Sequence, residues 1–180
     1  MNDLALHILD IIQNSISAGA TVVGLSVEED IPSDRLVIEI SDNGRGMDSS
    51  QLARLADPFF TSRTTRKVGM GIPLFKQTAE QSGGGLSVTS EPGKGTVVRA
   101  VFQHSNIDRP PLGNVPNVLM LTVASNPDVD FEYRYSYNGS EYVFSTKEAK
   151  EVLGDMEIGN PTVMRYLEEM IAENMNEVRK

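Results

Sequence analysis

The chain has 180 residues, 39% of them hydrophobic, enough for one ordinary core with a small appended unit. It has no cysteine, which excludes disulfides, thiolate catalysis and cysteine zinc sites, and only two histidines, His7 and His104, which argues against a histidine-rich metal centre. The net charge of −9 argues against nonspecific binding to nucleic acid, and no apolar run approaches the roughly 20 residues that span a bilayer.

Residues 3–17 have helical spacing, with Leu4, Ile8, Ile11, Ile12 and Ile16 as an apolar stripe. His7, Asp10 and Asn14 fall on a neighbouring stripe, because positions three and four apart share a helix face. Ala18-Gly19-Ala20 ends the helix. Residues 21–28 and 35–42 read as strands around the turn Ile31-Pro32-Ser33-Asp34. Asp48 or Ser49 caps a short helix reaching Leu55. Residues 57–70 have no clean period and read as a loop. A helix over 72–81 ends at Gly83-Gly84-Gly85, and strands over 86–90 and 96–102 flank the turn Pro92-Gly93-Lys94-Gly95. Three prolines between Ser105 and Pro116 mark a linker. Beyond it, residues 118–124 read as a strand, and Asn138-Gly139 signals a hairpin between residues 131–137 and 141–145. Ser145 with Glu148 suits a capping box for a helix to Leu153, and Asn160-Pro161 opens a final amphipathic helix.

Four polar clusters carry the chemistry. Asp10 and Asn14 place a carboxylate and a carboxamide on one helix face. The amide oxygen suits Mg²⁺, and the carboxylate suits orienting water or accepting a proton. Read alone, the pair suits a solvated helix face better. Asp42 ends a strand and enters Asn43-Gly44-Arg45-Gly46-Met47. A buried carboxylate there needs a partner, and an exocyclic amine such as adenine N6 is one; a plain Asp-Asn-Gly turn is the simpler reading. Gly69-Met70-Gly71 precedes a helix, whose free N–H groups and dipole suit phosphate. Residues 58–79 contain Arg63, Arg66, Lys67 and Lys76 and no acid, so a local anion is expected there. The P-loop and the dinucleotide Gly-x-Gly-x-x-Gly pattern are both absent.

The order of these clusters resembles the GHKL superfamily of ATP-binding domains, which includes gyrase, Hsp90, histidine kinases and MutL. Asp10 to Asn14, with Ser15 and the Ala18-Gly19-Ala20-Thr21 run behind, is similar to the N box. Asp42-Asn43-Gly44-Arg45-Gly46 is similar to the G1 box, Asp57-Pro58-Phe59-Phe60-Thr61 to the F box, and Gly69-Met70-Gly71 to the G2 box. The Ser90 to Thr96 stretch is similar to the terminal hairpin of a histidine kinase ATP domain. The resemblance covers residues 4–102. It implies an α/β two-layer sandwich, with helices on one face of a mixed, mainly antiparallel sheet and a small C-terminal extension. Residues 1–104 would be the ATP-binding domain, 105–117 a linker, and 118–180 the extension with its hairpin and helices.

The resemblance also implies roles. Asn14 would ligate Mg²⁺, Asp42 would bond adenine, and Gly44 and Gly46 would shape the base pocket. Residues 57–70 would form the ATP lid, with Arg63 near the phosphates and Gly69 and Gly71 bracketing them. Met47, Lys67, Met70 and Thr96 complete the expected nucleotide contacts. Asp10 would be the catalytic base. Histidine kinases usually carry asparagine there, and gyrase-like and MutL-like ATPases glutamate, so aspartate keeps the basic function with a shorter reach. ATP and Mg²⁺ are the expected cofactors. The expected activity is slow ATP hydrolysis or protein kinase action in a regulatory signalling complex, without a phosphoacceptor helix of its own. An anti-sigma-like serine protein kinase and a non-catalytic nucleotide-gated module are the alternatives. A protein partner is expected and a homodimer allowed, with no nucleic acid and no membrane. No basic-then-apolar leader is seen at the start, so the expected location is cytoplasmic. The aromatic strip at residues 131–137 would pack on the final helix or the ATP domain, or else offer a partner surface.

Overall fold

The computed structural model describes residues 3–55 and 71–180. Twelve elements follow one another among them: α1 (Leu4–Ser17), β1 (Val22–Asp30), β2 (Arg35–Asp42), α2 (Ser49–Leu55), α3 (Gly71–Gln81), β3 (Gly85–Glu91), β4 (Gly95–Gln103), α4 (Val115–Ser125), β5 (Asp130–Tyr137), β6 (Ser140–Ser145), α5 (Thr146–Leu153) and α6 (Pro161–Val178). The strands form a six-stranded sheet in the order β3-β4-β2-β1-β5-β6. Every neighbouring pair is antiparallel except β1 with β5, which run parallel. The molecule is thus the α/β sandwich with a mixed, mainly antiparallel sheet that the sequence predicts.

Alternation drives the layering. Val23, Leu25 and Val27 of β1 and Leu36, Ile38 and Ile40 of β2 are buried under the helices. One row of aligned residues crosses all six strands: Val88, Val98, Ile40, Leu25, Tyr133 and Phe144. Phe75 of α3 and Phe102 of β4 pack ring against ring with centroids 5.9 Å apart. Each such buried aromatic contributes on the order of 2–3 kcal/mol by leaving water.

Residues 118–124, expected as a strand, are helical. Asn114 caps α4 by accepting from Asn117 N at 3.1 Å, and Pro116 sits in the first turn. The apolar run suits a helix buried on several sides as well as a strand. The proline-bearing segment before α4 is tied down. Pro111 and Leu112 carbonyls accept from Leu4 N and Ala5 N at 2.9 Å, and Asp3 accepts from Leu6 N, so the first donors of α1 are satisfied. The hairpin turn Asn138-Gly139 has φ of 49° and 89°, the left-handed pair that a two-residue hairpin requires. Phe131, Tyr133 and Tyr135 are fully buried, and the Tyr133 hydroxyl lies 3.4 Å from Met175 Sδ on the final helix, α6.

Candidate functional site

Asp42 is the last residue of β2, paired with Val23 of β1 and Thr96 of β4. One carboxylate oxygen accepts from Ser15 Oγ of α1 at 2.6 Å, and the other from Gly44 N at 2.9 Å. Two donors hold the carboxylate in one orientation, and each oxygen keeps a further lone pair to offer. Ser15 is buried on the inner face of α1.

The loop after Asp42 is pinned on both sides. Asn43 Oδ1 accepts from Thr21 N and Val22 N, and Asn43 Nδ2 donates to Thr21 Oγ1. Arg45 donates from its backbone N to Ala18 O and from its guanidinium to Ser17 O, covering carbonyls at the C-terminus of α1. Met47 N donates to Ser90 Oγ, which also meets Thr96 Oγ1 at 2.8 Å. Two glycines make the close approach possible. A Cβ on Gly46, at φ 70°, would lie 1.9 Å from Glu91 O, and one on Gly44 would lie 2.9 Å from both Ala18 Cβ and Ala18 O.

These residues surround a cavity of about 220 Å³. Ile11, Ile72, Val98, Met47 and Leu55 contribute apolar lining, and Asp42, Asn14 and Thr96 contribute polar groups. Asn14 also lines an adjoining cavity of about 480 Å³, together with Asp10, Gln13, Ser17, Gly71 and Asn126. Together the two fall within the range of small-molecule sites, about 300–1,000 Å³. Asp10, Asn14 and Ser17 recur on one face of α1, as their spacing predicts. The start of α3 presses onto that face: a Cβ on Gly71 would lie 3.3 Å from Asp10 Cβ and 3.7 Å from Asn14 Nδ2. Burial raises the Asp10 carboxyl above the ordinary carboxylate value, the direction that makes it a stronger base.

The structure therefore brings Asp10, Asn14, Asp42, Gly46, Met47, Gly71 and Thr96 around two cavities that share Asn14, with Gly44 packed behind Asp42 against Ala18. Arg63, Lys67, Gly69 and Met70, with the expected lid over 57–70, lie outside the described residues. His7 faces away from the cavities. Its Nε2 is 3.1 Å from Thr78 Oγ1 and its ring stacks on Phe75 with centroids 5.0 Å apart. Two contributors went unassigned at the level of sequence. Ser15, a buried hydroxyl on an otherwise apolar stripe, positions Asp42, and its polarity there is the signal. Ser90 locks the β3–β4 hairpin to the Met47 loop.

A family model described as histidine kinase-, DNA gyrase B- and HSP90-like ATPase matches residues 2–106. The chain belongs to this ATPase family, the GHKL superfamily. Its relatives include the sensor protein kinase FleS of Pseudomonas aeruginosa, 40% identical over 95 residues, which make up 53% of this chain and 23% of that protein. The sensor histidine kinase ZraS of Salmonella typhimurium is 33% identical over 91 residues, 50% of this chain and 19% of that one. The chain spans less than a quarter of the length of these curated relatives. Among solved structures, the N-terminal domain of a DNA repair protein aligns with TM-score 0.59 and 20% identity, covering 88% of this chain and 59% of that one. The Aquifex aeolicus MutL ATPase domain complexed with ADP aligns with TM-score 0.50 and 15% identity, covering 85% and 69%. Both share the fold. No helix among the described residues is long and apolar enough to cross a membrane.

Proposed function

We propose that the chain binds Mg²⁺·ATP in the two cavities and uses it for slow hydrolysis or for protein phosphorylation within a regulatory complex. The observation that carries this reading is Asp42. Its carboxylate is held by Ser15 and Gly44 N beside a base-sized cavity that shares Asn14 with a larger one. Asp42 accepts from the exocyclic amine of adenine, and Ile11, Ile72, Val98 and Met47 flank the ring. The polyphosphate would then pass Asn14 toward the start of α3, whose Gly71 lines the larger cavity.

The donor set fits Mg²⁺ in one particular way. Among the described residues no cluster of His, Asp and Glu is able to hold a metal unaided. A single amide oxygen from Asn14, completed by phosphate oxygens and water, is the arrangement this ion accepts. Bound there, Mg²⁺ would neutralise phosphate charge. Arg63 and Lys67, with the backbone around Gly69 and Met70, are assigned to the phosphates on the basis of the family motif and their charge. Asp10, with its raised proton affinity, takes a proton from the attacking group. Residues 1–104 form the nucleotide unit, 105–117 its connector and 118–180 an output element, acting in the cytoplasm with a protein partner. A nucleotide-gated module without turnover is the second reading, favoured by the presence of Asn126 of the extension at the phosphate-side cavity.

Calorimetric titration with Mg²⁺·ATP tests the proposal. Saturable binding is expected, and Asp42→Ala is expected to reduce affinity at least tenfold by removing a charge-assisted hydrogen bond worth about 1.5–3 kcal/mol. Unchanged affinity in that variant refutes the assigned pocket. Incubation with radiolabelled ATP then separates the chemistries: free phosphate marks an ATPase, labelled protein a kinase, and neither a switch.

A further inference from the structure

The family match ends at residue 106, yet the larger cavity is completed from beyond it. Two helix–strand units lie side by side in this molecule. α1 and α4 start together, since Leu4 N and Ala5 N donate to Pro111 O and Leu112 O just ahead of α4. They also end together, since Asp130 N donates to Thr21 O and β5 runs parallel to β1 from that point. Connections over residues 18–21 and 126–129 follow the two helices. The C-terminal end of α4 is thereby delivered to the C-terminal half of α1, and Asn126 lines the same cavity as Asp10, Gln13 and Asn14.

Asn126 is held in place by its own bonds. Its backbone N donates to Val123 O at 3.2 Å, its Nδ2 donates to Thr122 O at 2.9 Å, and its carbonyl accepts from Val129 N at 3.1 Å. Because Nδ2 donates to a carbonyl, the amide orientation is defined. A carboxamide has two N–H donors and one acceptor oxygen. One N–H is engaged by Thr122 O, and among the described residues the second has no acceptor, so it is open to an anionic oxygen. The described side chains lining this cavity include no cation, and Asp10 contributes an acid. A neutral donor from the extension in this lining is therefore suited to selecting an additional phosphate oxygen.

We propose that Asn126 reads the distal phosphate of a bound nucleoside triphosphate, making the C-terminal extension sensitive to whether the nucleotide carries two or three phosphates. The proposal rests on the nucleotide-binding reading above. α4 packs beside α1 and α6, and Asn117 Nδ2 reaches Glu168 Oε2 of α6 at 3.5 Å, so a pull on Asn126 acts on the helix pair of the extension.

Calorimetry on the full chain with Mg²⁺·ATP and Mg²⁺·ADP tests it, using Asn126→Ser and Asn126→Asp. Serine retains a hydroxyl for the local bond to Thr122 O and removes the N–H from the cavity. Aspartate aims a negative charge at the phosphates. The serine variant is expected to lose roughly tenfold in ATP affinity with ADP affinity within about twofold of the parent, and the aspartate variant to lose more for ATP. A structural role would weaken both nucleotides together, so an unchanged ATP-to-ADP affinity ratio in both variants overturns the proposal. A parent chain that binds neither nucleotide overturns the nucleotide reading itself. A parent that binds both while the ratio stays fixed overturns only the role of Asn126.

Discussion

Asp10 and Asp42 are both acids at the edge of a cavity, and their surroundings divide their work. Asp42 meets two donors and is held as an acceptor. Burial acts on Asp10 by raising its proton affinity. The linkage has a definite sign. An acid whose folded value lies above its unfolded value binds more protons when folded, so its burial costs stability once the pH rises through that window. Asp10→Asn is therefore expected to melt above the parent near neutrality and level with it below the carboxylate range, as thermal scans across pH would record. Any turnover should fall about 100-fold in the same variant, the usual contribution of a general base. Full-rate hydrolysis in Asp10→Asn would remove Asp10 from the chemistry. The Asp10–Asn14 pair was legible from helical spacing. The part played by Ser15 was not, because a bond between residues 27 apart in sequence depends on α1 lying across the end of β2.

At the scale of elements, α1 serves two purposes. Its apolar stripe sits on the sheet while its polar stripe borders the larger cavity, and α3 packs along it. His7 belongs to that packing. Thr78 Oγ1 donates to Leu74 O, so it accepts from His7 Nε2–H, and His7 Nδ1 is buried without a partner among the described residues. Burial, opposed by the Asp3 carboxylate, lowers the His7 pKa below its usual 6.5. A base depressed on folding is protonated first in the unfolded chain. Stability is thus present above the ordinary histidine value and declines as pH falls toward the lowered one. Urea titrations at stepped pH should show this acid loss, and His7→Phe should flatten it while changing neutral stability by less than about 1.5 kcal/mol. An identical slope in that variant would assign the acid sensitivity to another group. The helical state of α4 was the element sequence pattern misjudged. A short, nearly all-apolar run has no period to distinguish helix from strand, and flanking by α1 and α6 decides the matter.

For the whole molecule, the extension is built into the same sheet. β5 pairs along β1, and the row through Leu25, Tyr133 and Phe144 continues the core to the far edge. A polar cluster closes the opposite end of these strands. Glu29 of β1 accepts from the Tyr135 hydroxyl of β5, lies 2.9 Å from His104 Nε2 after β4, and lies 3.7 Å from Arg179 at the end of α6. The Arg179 guanidinium also lies over the Tyr135 ring, 5.1 Å from its centroid. Burial pushes Glu29 upward, but the hydrogen bonds from Tyr135 and His104 and the neighbouring positive charges outweigh it, and the net shift is down. A carboxyl depressed on folding adds stability above its unfolded value, and that stability disappears as pH falls through the folded value. Glu29→Gln should therefore cost about 1–3 kcal/mol near neutrality, with the gap closing in acid. Denaturation of both proteins across pH measures it, and a gap independent of pH would mean the side chain acts through packing alone.

Sequence alone determined the elements around the smaller cavity, the ends of β2 and α1, and the residue types that meet there, because helix and strand periods and glycine turns are local properties. Asp10, Asn14 and Asp42 were readable for that reason. The tertiary structure decided that Ser15 would orient Asp42, that Asn126 would reach the larger cavity and that Glu29 would tie β1 to the last residues of the chain. Each of these depends on strand order and on one helix lying against another, and contacts between distant segments follow from packing the core, which no window of neighbouring residues encodes.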